Sequence, residues 1–226
     1  MRQKTKIQFF FGISLLILFV LYTVSLTCVD LRPIGPQGSC VAYAGINKAV
    51  HELFGVHMTL YHVTDWAGVV DILIALGFAV LGLTQWVRRK SILKVDRSIL
   101  ILGVFYLLVF GAYVFFEFHV INRRPVLING ILEASYPSST TMLAMCVLPT
   151  AMMQFRRLIR NGPVRMAVNT LCGLFTAFMV MGRLVCGVHW LTDILGGMIF
   201  SAAMILLYCA AHGVFIPYRK EDTGNS

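Results

Sequence analysis

Charge is what this chain has least of. Asp, Glu, Lys and Arg make up 13% of its 226 residues, against 58% hydrophobic, and the mean hydropathy is +0.79. A soluble domain of this length needs more polar surface than that, so a soluble globular fold is excluded. The six cysteines include no Cys-x-x-Cys pair and no Cys/His grouping at metal-ligand spacing, which leaves no zinc-type or redox motif. Cys146, Cys172 and Cys209 lie in apolar runs and read as small hydrophobes. Cys28 and Cys40 fall together on the side where a disulfide is permitted. Internal repeats, low-complexity tracts and linkers long enough to separate domains are also absent.

What the chain does have is a series of long apolar runs. Residues 7–26, 68–87, 99–118, 141–155, 167–183 and 191–212 each read as a membrane-crossing helix, the fourth being short. Of the 19 Lys and Arg, fourteen fall at one end of such a bundle: Arg2, Lys4 and Lys6, the 88–97 and 156–165 loops, and Arg219 and Lys220 in the tail. Because basic loops stay inside, the pattern predicts an all-α integral membrane protein, a six-helix bundle with both termini cytoplasmic. The net charge of +9 is then a topology signal, and no nucleic-acid partner is implied. The first run is too long for a signal-peptide core and lacks a small-x-small cleavage site, so a retained anchor is expected.

Three regions follow. Residues 1–98 hold the first two spans and the segment between them, 99–212 hold spans three to six, and 213–226 form a polar cytoplasmic tail. Between the first two spans, Tyr43, Ile46, Val50, Leu53 and Phe54 recur at helical spacing, with Asn47, Lys48, His51 and Glu52 between them. That pattern predicts a short amphipathic helix on the outer membrane surface, serving as a lid or as a packing element. His51, His57 and His62 lie nearby at spacings that no single helix face collects, so surface or interface histidines are expected there rather than metal ligands.

Charged groups at membrane depth are costly, which makes their placement informative. On the outer side they gather at 116–125, 131–141 and 182–193, all at one membrane level. In the last stretch His189 and Asp193 are four residues apart, so both share a face if the sixth span begins near His189. A carboxylate on one imidazole nitrogen leaves the other as nucleophile or base. Arg183, six residues before His189, and Arg124 suit a phosphate, and Ser138 and Ser139 at a helix start suit the same anion. Taken alone, the Arg-x5-His-x3-Asp spacing fits an interfacial ion-pair cluster equally well. The convergence of three stretches is what points to a pocket.

These residues resemble the type 2 phosphatidic acid phosphatase (PAP2) superfamily of integral-membrane lipid phosphatases. Its pattern is Lys-x6-Arg-Pro, then Pro-Ser-Gly-His, then Ser-Arg-x5-His-x3-Asp. Arg124-Pro125 fills the end of the first motif, Pro137-Ser138 opens the second, and Arg183, His189 and Asp193 fill the third with both spacings intact. The resemblance covers residues 99–212. It implies hydrolysis of a lipid phosphomonoester or polyprenyl diphosphate through a phosphohistidine on His189, with no metal or other cofactor. Asp193 would orient His189, and Arg124, Arg183, Ser138 and Ser139 would hold the phosphoryl group. It also implies a site facing outward from a plasma membrane, and the small size suits a bacterial cytoplasmic membrane.

Four positions depart from the family pattern. Glu117 stands at the lysine of the first motif, Ser139 and Thr140 at the glycine and histidine of the second, and Gly182 at the serine of the third. That histidine protonates the leaving oxygen in the family, and threonine cannot do so near neutral pH. With Thr140 at that position, Glu117 and His119 are the residues that could supply the proton instead. The other readings are a diphosphate substrate whose leaving group needs no acid, a headgroup transferase, or a non-catalytic lipid-phosphate binder or transporter.

Overall fold

The computed structural model describes residues 3–216, so the expectations for Arg2, Arg219, Lys220 and most of the polar tail lie outside the described residues. Seven helices make up the described chain: Gln3–Ser25 (α1), Ala44–Phe54 (α2), Met58–Arg89 (α3), Arg97–Phe118 (α4), Ser139–Leu158 (α5), Gly162–Val185 (α6) and Leu191–Phe215 (α7). Among the described residues β-structure is confined to isolated bridges. Leu107, Phe110, Leu171 and Leu174 are 62–71% exposed, the inverse of a soluble fold and what a lipid-facing surface requires. This is a multi-pass membrane protein.

α1, α3, α4, α6 and α7 have the length and apolarity to cross a bilayer. α5 differs in kind. Its 20 residues span about 30 Å, but Thr141, Thr150 and Gln154 on it are at most 2% exposed. Contacts with α3, α4, α6 and α7 enclose it, so its polar groups face protein instead of lipid. Gln154 donates to the Tyr208 hydroxyl at 2.8 Å, and Thr150 donates back to the Cys146 carbonyl at 2.7 Å. An enclosed helix does not need the apolarity that marks a span, which is why this one reads weakly from sequence.

α1 runs antiparallel along α7. A Cβ at Gly213 would meet Thr5 and one at Gly12 would meet Leu207, while further along the Phe19 and Phe200 rings lie 5.2 Å apart. The small residues of α7 also face inward. A Cβ on Gly196 would sit 2.3 Å from the Tyr136 ring, Gly197 abuts Ser138 and Thr141, and Ser201 is buried against Met142 of α5. Internal packing accounts for this stripe. Cys28 and Cys40 are exposed free thiols.

The amphipathic segment forms α2, with Ile46 53% and Leu53 76% exposed on its apolar side. Its polar side is not wholly solvated, however. Asn47 is fully buried, donating to the Ala42 carbonyl at 2.8 Å and to the Thr192 hydroxyl at 3.0 Å, and accepting from the Thr192 N–H at 3.2 Å. α2 is thereby fastened to the first turn of α7.

A second polar group was hidden inside an expected span. Asp71 on α3 has no exposed surface, and neither carboxyl oxygen has a hydrogen-bond partner. Its electrostatic neighbours are Tyr106 of α4 and Cys172 of α6.

The turn between α6 and α7 is closed by Gly187, at φ +68°, in the left-handed region that an L side chain resists. The α2–α3 junction presses on it: a Cβ at Gly187 would lie 1.9 Å from the Gly55 carbonyl oxygen, and the His57 N–H donates to Cys186 O at 3.0 Å. Gly187→Ala is expected to cost about 2–4 kcal/mol through backbone strain and overpacking. The change would appear as a lower unfolding temperature in detergent. Gly173→Ala, inside α6 with nothing within 4 Å, should not lower it.

Candidate active site

The site is assembled from the ends of helices at the face opposite the basic loops. Its first component is the connection between α4 and α5. Asn129 (φ +52°) and Gly130 (φ +80°) make a two-residue reversal, the Asn-Gly turn favoured in hairpins, and Ile128 and Ile131 exchange both backbone hydrogen bonds across it. Further along the same hairpin the Arg124 N–H donates to Glu133 O at 3.1 Å, and the Ser135 N–H to Asn122 O at 3.0 Å. Arg124 and Glu133 thus face each other, with Arg124 Nε 3.0 Å from Glu133 Oε2.

The second component is the start of α7. Asp193 is fully buried in its first turn. Its Oδ2 accepts the Trp190 N–H at 2.9 Å and its Oδ1 accepts Asn122 Nδ2 at 2.9 Å. Its main-chain carbonyl accepts the Ser138 N–H at 3.1 Å, tying the entry of α5 to α7. The Trp190 indole donates to Arg123 O at 2.8 Å and fixes the hairpin to the same point.

His189 lies between these components and is 4% exposed. Its Nδ1 is 3.1 Å from the Ser135 carbonyl oxygen, which can only accept, so Nδ1 carries the proton. Nε2 is then left with a lone pair, and Arg124 Nη1 donates to it at 3.2 Å. Asp193 Oδ2 stands 3.8 Å from Nδ1, beyond hydrogen-bond length, so the tautomer is held by Ser135 and not by the carboxylate the sequence suggested. Burial, and then the Arg124 charge, push the imidazole pKa down to about 4, with Asp193 opposing. The ring is neutral at physiological pH, as a nucleophile must be.

A cavity of about 250 Å³ opens beside His189. Of the residues singled out from sequence, Arg124, Ser139 and Glu117 line it, together with Glu133 and Ser135, which sequence reasoning left without a role. Ser138 does not line it. It is fully buried as the N-cap of α5, where its hydroxyl accepts the Thr141 N–H at 3.5 Å. Thr140 turns its methyl toward α3, 4.0 Å from where a Cβ on Gly68 would be. The N–H groups of Ser139 and Thr140 have no acceptor among the described residues, as expected at a helix start. His119 is exposed and stacked on Phe115 with ring centroids 4.3 Å apart, away from the cavity.

Arg183 is 1% exposed and does not line the cavity. Its Nη2 meets Asp65 Oδ1 at 2.8 Å, and its guanidinium lies 5.0 Å from the centre of the Tyr61 ring. Arg124 approaches the same ring at 5.9 Å, so both cations flank one tyrosine. Nε and Nη1 of Arg183 have no hydrogen-bond partner. Asp65 could have been noticed in the sequence as a lone acid just ahead of the second apolar run. The Asn-Gly pair was likewise a legible hairpin signal.

No curated protein matches the chain by sequence. Its fold is similar to the crystal structure of a transmembrane PAP2-type phosphatidylglycerolphosphate phosphatase from Bacillus subtilis, with a TM-score of 0.54 at 20% identity, covering 88% of this chain and 93% of that one. The model of the PAP2 superfamily matches residues 72–216. That match takes in both arginines, the hairpin, the entry of α5 and the His189–Asp193 turn, and the chain belongs to the PAP2 superfamily.

Proposed function

We propose that the protein is a lipid phosphatase acting on a lipid phosphomonoester or diphosphate through a phosphohistidine on His189. The observation that carries the reading is the buried imidazole with its proton fixed on Nδ1 and its Nε2 lone pair beside a cavity and a guanidinium. Nε2 attacks phosphorus and the bond to the leaving oxygen breaks. Water then attacks the phosphorus of the phosphohistidine, breaking the N–P bond and releasing inorganic phosphate. Arg124 and the free N–H groups at the start of α5 stabilise the charge that builds on the phosphoryl oxygens. Arg183, behind Tyr61, adds positive potential. Asp193 acts as a positioning residue, holding α7, the hairpin and α5 around His189. No metal is required by this route.

Among Glu117, His119 and Thr140, the position of Glu117 on the cavity wall supports it as the acid. It gives a proton to the departing oxygen and recovers one from the attacking water. The reading places α1, α3, α4, α5, α6 and α7 across the bilayer, the basic ends and both termini in the cytoplasm, and the cavity on the outer face. Residues 1–98 serve as the anchoring and entrance region, 99–212 as the catalytic region and 213–226 as a cytoplasmic tail.

Purified protein in EDTA should release phosphate from a lipid phosphate, and His189→Ala should abolish both that release and an acid-labile phosphoenzyme. No turnover across monophosphate and diphosphate lipids would overturn the reading. Glu117→Gln should slow ester cleavage about 10²–10⁴-fold. It should spare cleavage of a diphosphate, whose phosphate leaving group has a second pKa of about 6. Because the pKa of His189 is lowered, its nucleophilic neutral form persists as pH falls below 6.5. The rate of phosphoenzyme formation should therefore lose His189 only near pH 4, read as the acid limb of a single-turnover pH profile.

A further inference from the structure

Arg124 makes two contacts that substrate binding must undo. It donates to the lone pair of the nucleophile, Nη1 to His189 Nε2 at 3.2 Å, and it forms an ion pair with Glu133, Nε to Oε2 at 3.0 Å, in which Nε makes no hydrogen bond and is therefore free to turn to a better-placed acceptor. Both partners are built in. Glu133 stands across the hairpin from Arg124, and the two residues share a main-chain hydrogen bond. The Arg124 side chain is 12% exposed and that of Glu133 is 39%, so the pair is partly shielded from water at the cavity wall.

A phosphate drawn into the cavity competes with Glu133 for the same guanidinium, since carboxylate and phosphate both match the fork of N–H donors. We propose that Glu133 is a positioning residue that exchanges Arg124 with the phosphoryl group, yielding it on substrate entry and recapturing it as inorganic phosphate leaves. This inference rests on the phosphatase reading. It assigns Glu133 a role in turnover that neither the sequence motifs nor the proton-transfer chemistry requires. The recaptured arginine returns to Nε2, so the nucleophile is covered in the resting enzyme and uncovered when phosphate binds. The cavity then holds its product weakly by construction: every departing phosphate is replaced by a carboxylate already attached to the chain.

The test is product affinity. Inorganic phosphate, and vanadate as its analogue, would be titrated against the detergent-solubilised full chain, with competitive inhibition measured in parallel. Glu133→Gln removes the competing charge while keeping the shape, and phosphate should bind about tenfold or more tightly, with a lower kcat as release slows. Glu133→Asp keeps the charge but withdraws it by one methylene, so phosphate should tighten there too, by less. A gain of affinity is a readout that mere loss of structure does not produce. Unchanged or weaker phosphate binding in Glu133→Gln would overturn the exchange. Tightening in Glu133→Gln with none in Glu133→Asp would also overturn it, because general repulsion then suffices. Failure of the wild-type chain to bind phosphate or vanadate at all would overturn the phosphate-site reading beneath it, an outcome distinct from the other two.

Discussion

The buried carboxylate of Asp193 is the constraint on which the outer end of the molecule depends. It has no exposed surface, and a polar group so placed is tolerable only if its oxygens are satisfied. The oxygens take the Trp190 N–H, which starts α7, and the Asn122 side chain, which anchors the hairpin. One residue earlier, Thr192 collects Tyr22 of α1 on its carbonyl and Asn47 of α2 on its hydroxyl and N–H. The first turn of α7 therefore gathers α1, α2, the α4–α5 hairpin and the entry of α5. His189 sits one residue before Trp190, so its position follows from this assembly, even though its own hydrogen bond goes to Ser135.

The electrostatics of the site follow from the same geometry. A buried histidine with an arginine at its free nitrogen and a carbonyl at the other is held neutral and in one tautomer without a direct carboxylate bond. Each arginine in turn has a carboxylate, Arg124 with Glu133 and Arg183 with Asp65. Positive charge is thus present at and near the cavity, and each guanidinium has a carboxylate beside it.

The third motif spans a turn, not one helix: Gly187 lies between Arg183 and His189, so the spacing alone did not show that Arg183 pairs with Asp65 or that Asp193 stands 3.8 Å from the imidazole. The helices were legible because apolar runs facing lipid announce themselves, and only α5, enclosed by its neighbours, was short and faint. What stayed hidden was everything set by partners distant in the chain. Asn47 read as a solvated residue on a polar face and is instead buried against Thr192, 145 residues away. Ser138 read as a phosphate ligand and serves as a cap, while Ser135 and Glu133 read as nothing and stand on the cavity wall. Thr140 directs its methyl at α3, and its main-chain N–H has no acceptor among the described residues.

Asp71 has a bearing on how the protein is made. While α3 is alone in the bilayer its carboxyl faces lipid, a burden of about 2.5–3.5 kcal/mol for an Asp at mid-helix. Its neighbours Tyr106 of α4 and Cys172 of α6 follow it in the chain by 35 and 101 residues. The 32-residue length and high hydropathy of α3 are what allow it to wait. Its apolar flanks secure insertion on their own, and the carboxyl is covered only when the later helices arrive. The carboxyl of α3 is therefore covered by helices that follow it in the chain, first α4 and later α6.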